Sequence, residues 1–210
     1  MQSARRHVLA MLTLIGLGGF LPSAVAQSPP ERTAAELMHA VMWNREPIGG
    51  PFALTDHTGR PRTEADFRGK LMLVYFGFTY CPDMCPTDLQ AMGLALDQLG
   101  AAGDGVQPLF ITVDPERDTP HLLADYVPLF HPRLIGLSGD AASTRHAARA
   151  YKAYYAKVPR ADGSDYTVDH SAFIYLIGRG GEYLGFFPPG TPPDRMADVI
   201  RPLVEAEHRP

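Results

Sequence analysis

Lys70 to Phe78 reads KLMLVYFGF, a nearly continuous apolar run. A strand with one face in water alternates polar and apolar residues, whereas a strand covered on both faces has no need to. The run therefore predicts a strand at the centre of a sheet with helices on either side. The following segments supply the crossovers that such a sheet requires. Pro86 opens a helical pattern reaching about Leu99, with Leu89, Met92, Leu96 and Leu99 at helical spacing. The stretch Gly100 to Gly105 ends that helix and leads into a second apolar strand, Gln107 to Val113.

The same alternation continues. Asp118 is the expected N-cap of the next helix, with Pro120 in its first turn and Pro128 at its end. Leu134 to Leu137 reads as a short strand, and a helix is expected from about Ala141 to Tyr155. Beyond a polar loop around Asp162-Gly163, strands Ala172 to Ile177 and Glu182 to Phe187 flank the turn Gly178-Arg179-Gly180-Gly181. A last helix spans about Pro193 to Glu205. Ahead of all this, Phe52 to Thr55 and the turn Asp56-His57-Thr58-Gly59 predict a small hairpin in front of the main sheet. The expected fold is α/β and thioredoxin-like: a central mixed sheet flanked by helices, with an N-terminal hairpin extension. In sheets of this kind, ligands bind where loops leave the carboxyl ends of strands. Cys81 stands just past such an end.

A chain of 210 residues accommodates one ordinary domain. Residues 1–26 carry Arg5-Arg6, an apolar run from Val8 to Leu21 and the small-residue pattern Ala24-Val25-Ala26, the marks of a secretory signal peptide. An uncleaved membrane anchor is the alternative for this segment. Residues 27–48 are expected to form a tether, 49–205 the folded domain and 206–210 a tail. Removing the leader leaves 17 basic against 23 acidic side chains. There is no basic footprint, so no nucleic-acid partner is expected.

An exported domain with only two cysteines, Cys81 and Cys85, is unlike a disulfide-dense secreted scaffold. Cys81-Pro82-Asp83-Met84-Cys85 places two thiols at i and i+4 in front of a helix, whose N-terminal amides should lower both thiol pKa values. A structural disulfide is geometrically allowed, but a loop this short would add only about 2 kcal/mol. Thiol–disulfide exchange is the second reading. It usually relies on two intervening residues rather than three, and on a proline opposite the cysteines that Ser164 to Ser171 lacks. A copper site is the third, since two thiolates suit Cu(I) and an imidazole can complete the coordination or support Cu(II). His170, just before the strand at Ala172, is the candidate imidazole, with an ordinary hydrogen-bonded histidine as the alternative.

Three blocks carry a resemblance. Phe76-Gly77-Phe78-Thr79-Tyr80-Cys81-Pro82-Asp83-Met84-Cys85-Pro86, Asp114-Pro115-Glu116-Arg117-Asp118-Thr119-Pro120 and Asp169-His170-Ser171 with Phe173-Ile174-Tyr175-Leu176 resemble, in order, the signatures of the Sco/SenC copper chaperones. The similarity covers about residues 48 to 204. It implies a thioredoxin fold that holds one Cu(I) or Cu(II) through Cys81, Cys85 and His170. It implies delivery of that copper to the dinuclear copper centre of cytochrome c oxidase during assembly, with the copper-receiving oxidase subunit as partner. Another copper chaperone or a thiol reductant is a further partner in this picture. The alternative role is that of a thiol–disulfide reductant for the oxidase cysteines. The expected location is the bacterial periplasm, soluble or held at the inner membrane by the N-terminus.

Several other residues invite a metal role and have simpler explanations. Met84 is expected to seat the cysteine loop as an apolar side chain. Met38, His39 and Met42 read as a helix face or part of the tether. Asp169 should point away from His170, because adjacent strand residues face opposite ways. Asp114 and Asp118 are explained equally well by orienting the site and by turn-making or capping. His57, His121, His131, His146 and His208 show no ligand spacing.

Overall fold

The computed structural model describes residues 47–161, 163 and 165–206. The expected leader, residues 27–46 of the tether with Met38, His39 and Met42, and the tail from residue 207 onward lie outside the described residues. In chain order the elements are β1 (Ala53–Asp56), β2 (Pro61–Thr63), β3 (Leu71–Gly77), α1 (Met84–Leu99), β4 (Val106–Thr112), α2 (Pro120–Tyr126), β5 (Ile135–Ser138), α3 (Ala141–Ala150), β6 (Tyr155–Pro159), β7 (Tyr166–His170), β8 (Ile174–Ile177), β9 (Tyr183–Phe187) and α4 (Pro193–Glu205). Seven strands form one sheet in the order β2-β1-β5-β4-β3-β8-β9, and β6 pairs with β7 in a separate two-stranded sheet. The mixed sheet with flanking helices matches the expected α/β, thioredoxin-like fold. Among the described residues no helix is long and apolar enough to cross a membrane.

The apolar run occupies the expected place. All seven residues of β3 are buried, which requires cover on both faces of the sheet. Phe76 lies between the rings of Tyr151 at 5.4 Å and Tyr175 at 6.0 Å. Each such aromatic side chain contributes about 1.5–3 kcal/mol through burial. β3 runs parallel to β4, with Gly77 beside Thr112, and antiparallel to β8, with Tyr75 beside Ile174. That antiparallel pairing decides the geometry of the site. It places the start of β8, and hence the residues just before it, next to the carboxyl end of β3.

The N-terminal hairpin forms as expected and extends the sheet at its edge, where β1 pairs antiparallel with β5. Four other expectations are corrected. α1 begins at Met84, before Pro86, and takes Cys85 into its first turn. A proline is tolerated there because the first-turn amides have no partner within the helix. The N-cap of α2 is Thr119, whose hydroxyl accepts from the Leu122 amide at 3.3 Å; Asp118 is turned inward instead. α3 stops at Ala150, where Lys152 adopts a left-handed backbone (φ 56) that ends helices. The chain then forms the hairpin of β6 and β7, which the alternation of apolar residues did not reveal.

Candidate metal centre

Cys81 lies in the loop between β3 and α1, Cys85 in the first turn of α1 and His170 at the last position of β7. Their ligating atoms all lie within 4.8 Å of one another, so the three residues proposed from the sequence meet at one point. An ion held at about 2.3 Å from sulfur spans donor separations of up to roughly 4.6 Å, so little movement would close the trio around a metal. Both cysteines are free thiols. The Cys85 sulfur is 3.3 Å from His170 Nε2. On the other side of that ring, Nδ1 is 3.1 Å from the Ser171 carbonyl oxygen. A carbonyl only accepts, so Nδ1 carries the proton and Nε2 presents its lone pair to the sulfurs. The rings of Phe78 at 5.7 Å and Tyr75 at 6.3 Å meet the imidazole edge-on and wall it in.

The two thiols differ, which corrects the expectation that the helix end would lower both. Cys81 is half-exposed and accepts the Cys85 amide at 3.4 Å. Its pKa is pulled far below the usual thiol range, first by hydrogen bonding from Cys85, against desolvation by partial burial, with the Asp83 and Cys85 amides adding to the effect. Cys85 is fully buried, and its pKa is pushed up by sharing a proton with ionised Cys81 and by desolvation. The outer sulfur is thus the one favoured as thiolate and the inner one as thiol. Iodoacetamide should modify Cys81 at a rate that stays flat down to about pH 5, where an ordinary thiol slows roughly tenfold per pH unit below its pKa of about 8.5. Cys85 should stay unlabelled, as read by mass spectrometry. A Cys81 rate falling tenfold per unit below pH 8 would refute the assignment.

Residues beyond the trio build the surroundings. Gly77 leaves room for the inner sulfur: a Cβ there would sit 2.8 Å from Cys85 Sγ and 3.0 Å from the Tyr75 and Phe110 rings. A glycine inside an apolar strand is the signal that could have marked this close approach. Behind Cys85, buried Asp88 accepts from the Tyr75 hydroxyl at 3.2 Å and from the Gly190 amide at 2.9 Å, tying α1 to β3 and to the loop before α4. Asp118 accepts from the Thr79 amide at 3.0 Å, the Thr79 hydroxyl at 2.5 Å and the Thr112 hydroxyl at 2.6 Å, fastening the approach to Cys81 onto the end of β4. Of the two roles left open for Asp118, it orients the site. Met84 does not seat the loop: it is 39% exposed. Asp169 is exposed and faces away from the trio, as expected.

Residues 41–205 match the family described as SCO1/SenC. The SCO2 homolog of Mus musculus, a mitochondrial protein, is 45% identical over 161 residues, which is 76% of this chain and 63% of that relative. The solved structure of Bradyrhizobium japonicum ScoI with copper bound superposes with a TM-score of 0.69 at 43% identity, covering 74% of this chain and 99% of that one. That of Arabidopsis thaliana ScoI with copper bound gives 0.71 at 41%, covering 76% and 99%. A match across most of the domain, a common fold and three donors converging at its ligand-binding end together make the chain a member of the SCO1/SenC family.

Proposed function

We propose that this protein is a copper metallochaperone that holds one copper ion between Cys81, Cys85 and His170 and passes it to the copper-receiving subunit of cytochrome c oxidase during assembly. The observation that carries this reading is the convergence of two free thiols and a correctly oriented imidazole, with one thiol half-exposed. Two thiolates hold Cu(I) well, and the imidazole adds the donor that Cu(II) requires. The open side matters for release. An incoming cysteine of the acceptor can reach the metal past Cys81, so copper moves by exchange of one sulfur ligand for another. The relatives with copper bound and the family match support the reading. The expected location is the periplasm, with residues 1–26 directing export or anchoring the chain.

An anaerobic Cu(I) titration of the purified protein against a competing chelator tests this, alongside His170→Ala. One tight equivalent is expected, weakened about tenfold or more in the variant, a loss at least as large as that of an outer-shell partner. Stoichiometry other than one, or affinity indifferent to His170, would refute the three-donor centre.

The split between the thiols favours a second role as a dithiol reductant. An ionised outer cysteine attacks a target disulfide, and the buried inner cysteine then resolves the mixed disulfide. The target gains two electrons and Cys81 and Cys85 become a disulfide. This role does not need His170, so disulfide reduction that survives His170→Ala alongside lost copper binding would assign both functions to one site.

A further inference from the structure

His170 stands outside the main sheet. It ends β7, which among the described residues pairs with β6 alone, so its position depends on how that hairpin is fastened to the rest of the domain. A two-stranded hairpin holds its shape poorly by itself. Val168 anchors its middle in the core. Its outer end is fastened by the loop Asp114–Arg117, the second of the three sequence blocks. The Tyr166 hydroxyl donates to Asp114 Oδ1 at 2.8 Å, and Lys157 Nζ donates to Glu116 Oε2 at 2.6 Å. Arg117 Nη1 donates to Asp165 at 3.0 Å and to the Tyr166 carbonyl at 3.1 Å, while its Nε donates to Asp114 at 2.5 Å.

The same guanidinium reaches the other arm of the centre. It lies 3.9 Å from the Tyr166 ring centroid, 5.0 Å from that of Tyr80 and 6.0 Å from that of Phe78. Tyr80 and Phe78 lead directly into Cys81, and Phe78 also meets the His170 ring. One side chain, only 16% exposed, therefore touches both the strand that ends in His170 and the segment that leads into Cys81. A planar guanidinium can do this because it donates in several directions in its plane and stacks through its faces; an ammonium cannot.

We propose that Arg117 is a positioning residue that holds the His170 arm against the Cys81 arm and thereby sets the preference of the centre between Cu(II) and Cu(I). The inference rests on the copper reading of the trio. The two thiolates supply most of the hold on Cu(I), so a displaced imidazole weakens it less than Cu(II), which depends on the nitrogen donor. Loosening the hairpin therefore weakens Cu(II) selectively.

Arg117→Lys is the test, because it keeps a positive charge beside buried Asp114 and removes the fork and the stack. Cu(II) affinity, followed through thiolate-to-copper charge-transfer absorption, should fall about tenfold or more, in the range of outer-shell substitutions. Cu(I) affinity should stay within about threefold, since both thiolates remain and the imidazole is loosened rather than removed. In the metal-free protein, amide exchange across residues 155–170 should accelerate about tenfold or more while β3 and β4 are unchanged. Asp165→Asn removes only an exposed end of the clamp and should move the same readouts the same way by less. Equal losses for both copper ions with exchange raised throughout would show a general stability role and overturn the proposal. Unchanged copper affinities with unchanged exchange would also overturn it. Failure of the unaltered protein to bind copper would instead refute the functional reading, and the metal-free exchange would still decide whether Arg117 holds the hairpin.

Discussion

Cys81→Ser is expected to lower Cu(I) affinity by more than about a hundredfold, more than any change at the centre outside the two cysteines. Outer-shell partners of a metal ligand cost 10–100-fold when removed, and a direct donor should cost more. A serine hydroxyl stays protonated at neutral pH and is a hard donor, so it does not replace a thiolate for Cu(I). The loss should come without loss of fold, because Cys81 lies partly exposed in a loop and its sulfur accepts only from nearby backbone amides of that loop and the first turn of α1, which a serine oxygen can also serve. Cys85→Ser should lose copper equally but also cost stability, because that sulfur is fully buried and packs where Gly77 leaves room. Anaerobic competition titrations read the affinities, and circular dichroism reads the fold. Undiminished affinity in folded Cys81→Ser would exclude the trio as the copper centre.

The second large effect belongs to a residue that touches no metal. Asp118→Ala should destabilise the protein by about 3 kcal/mol and loosen the cysteine loop. Asp118 is fully buried and satisfies three donors at once, two on Thr79 and one on Thr112. Removing it strands those donors, and each unsatisfied buried group costs about 1–3 kcal/mol, partly relieved where a hydroxyl turns to another acceptor. At this chain length the melting temperature should fall by roughly 6–12 °C. Burial raises the Asp118 carboxyl pKa, while the Thr112 and Thr79 hydrogen bonds oppose that shift. Asp118→Asn keeps the shape without the charge, and its oxygen can still serve the Thr79 amide. It should therefore be milder than Asp118→Ala. Thermal melts of the two variants check this, and equal melting temperatures for Asp118→Ala and the unaltered protein would refute the role.

The central strand, the long helix after it, the parallel neighbour and the final hairpin and helix were legible because each has a strong local signal. Apolar continuity marks β3, helical spacing marks α1, and glycine-rich turns separate β8 from β9. The hairpin of β6 and β7 was not legible. Its tip is polar, β6 is mostly exposed, and it follows α3 without a proline or glycine to mark the break. What holds it is a set of contacts to Asp114, Glu116 and Arg117, which lie about forty to fifty residues away. Asp118 was misplaced as a cap for the same reason. Short-range chemistry favours a carboxylate before a proline-led helix, but the demand of Thr79 and Thr112 comes from tertiary neighbours.

The sequence by itself determined the donor chemistry: two cysteines four apart after a buried strand, and a histidine before another. Residue type and spacing along one loop are local facts, and softness of the ligands follows from the atoms. Only the tertiary structure decided that the two sulfurs are unequal, one partly exposed and one buried, and that His170 faces them through Nε2. Those properties arise from burial, from the closeness of the two sulfurs and from the antiparallel pairing of β8 with β3, which brings His170 to Cys85, 85 residues away along the chain. Burial and pairing are set by the whole packed chain, so no window of sequence contains them.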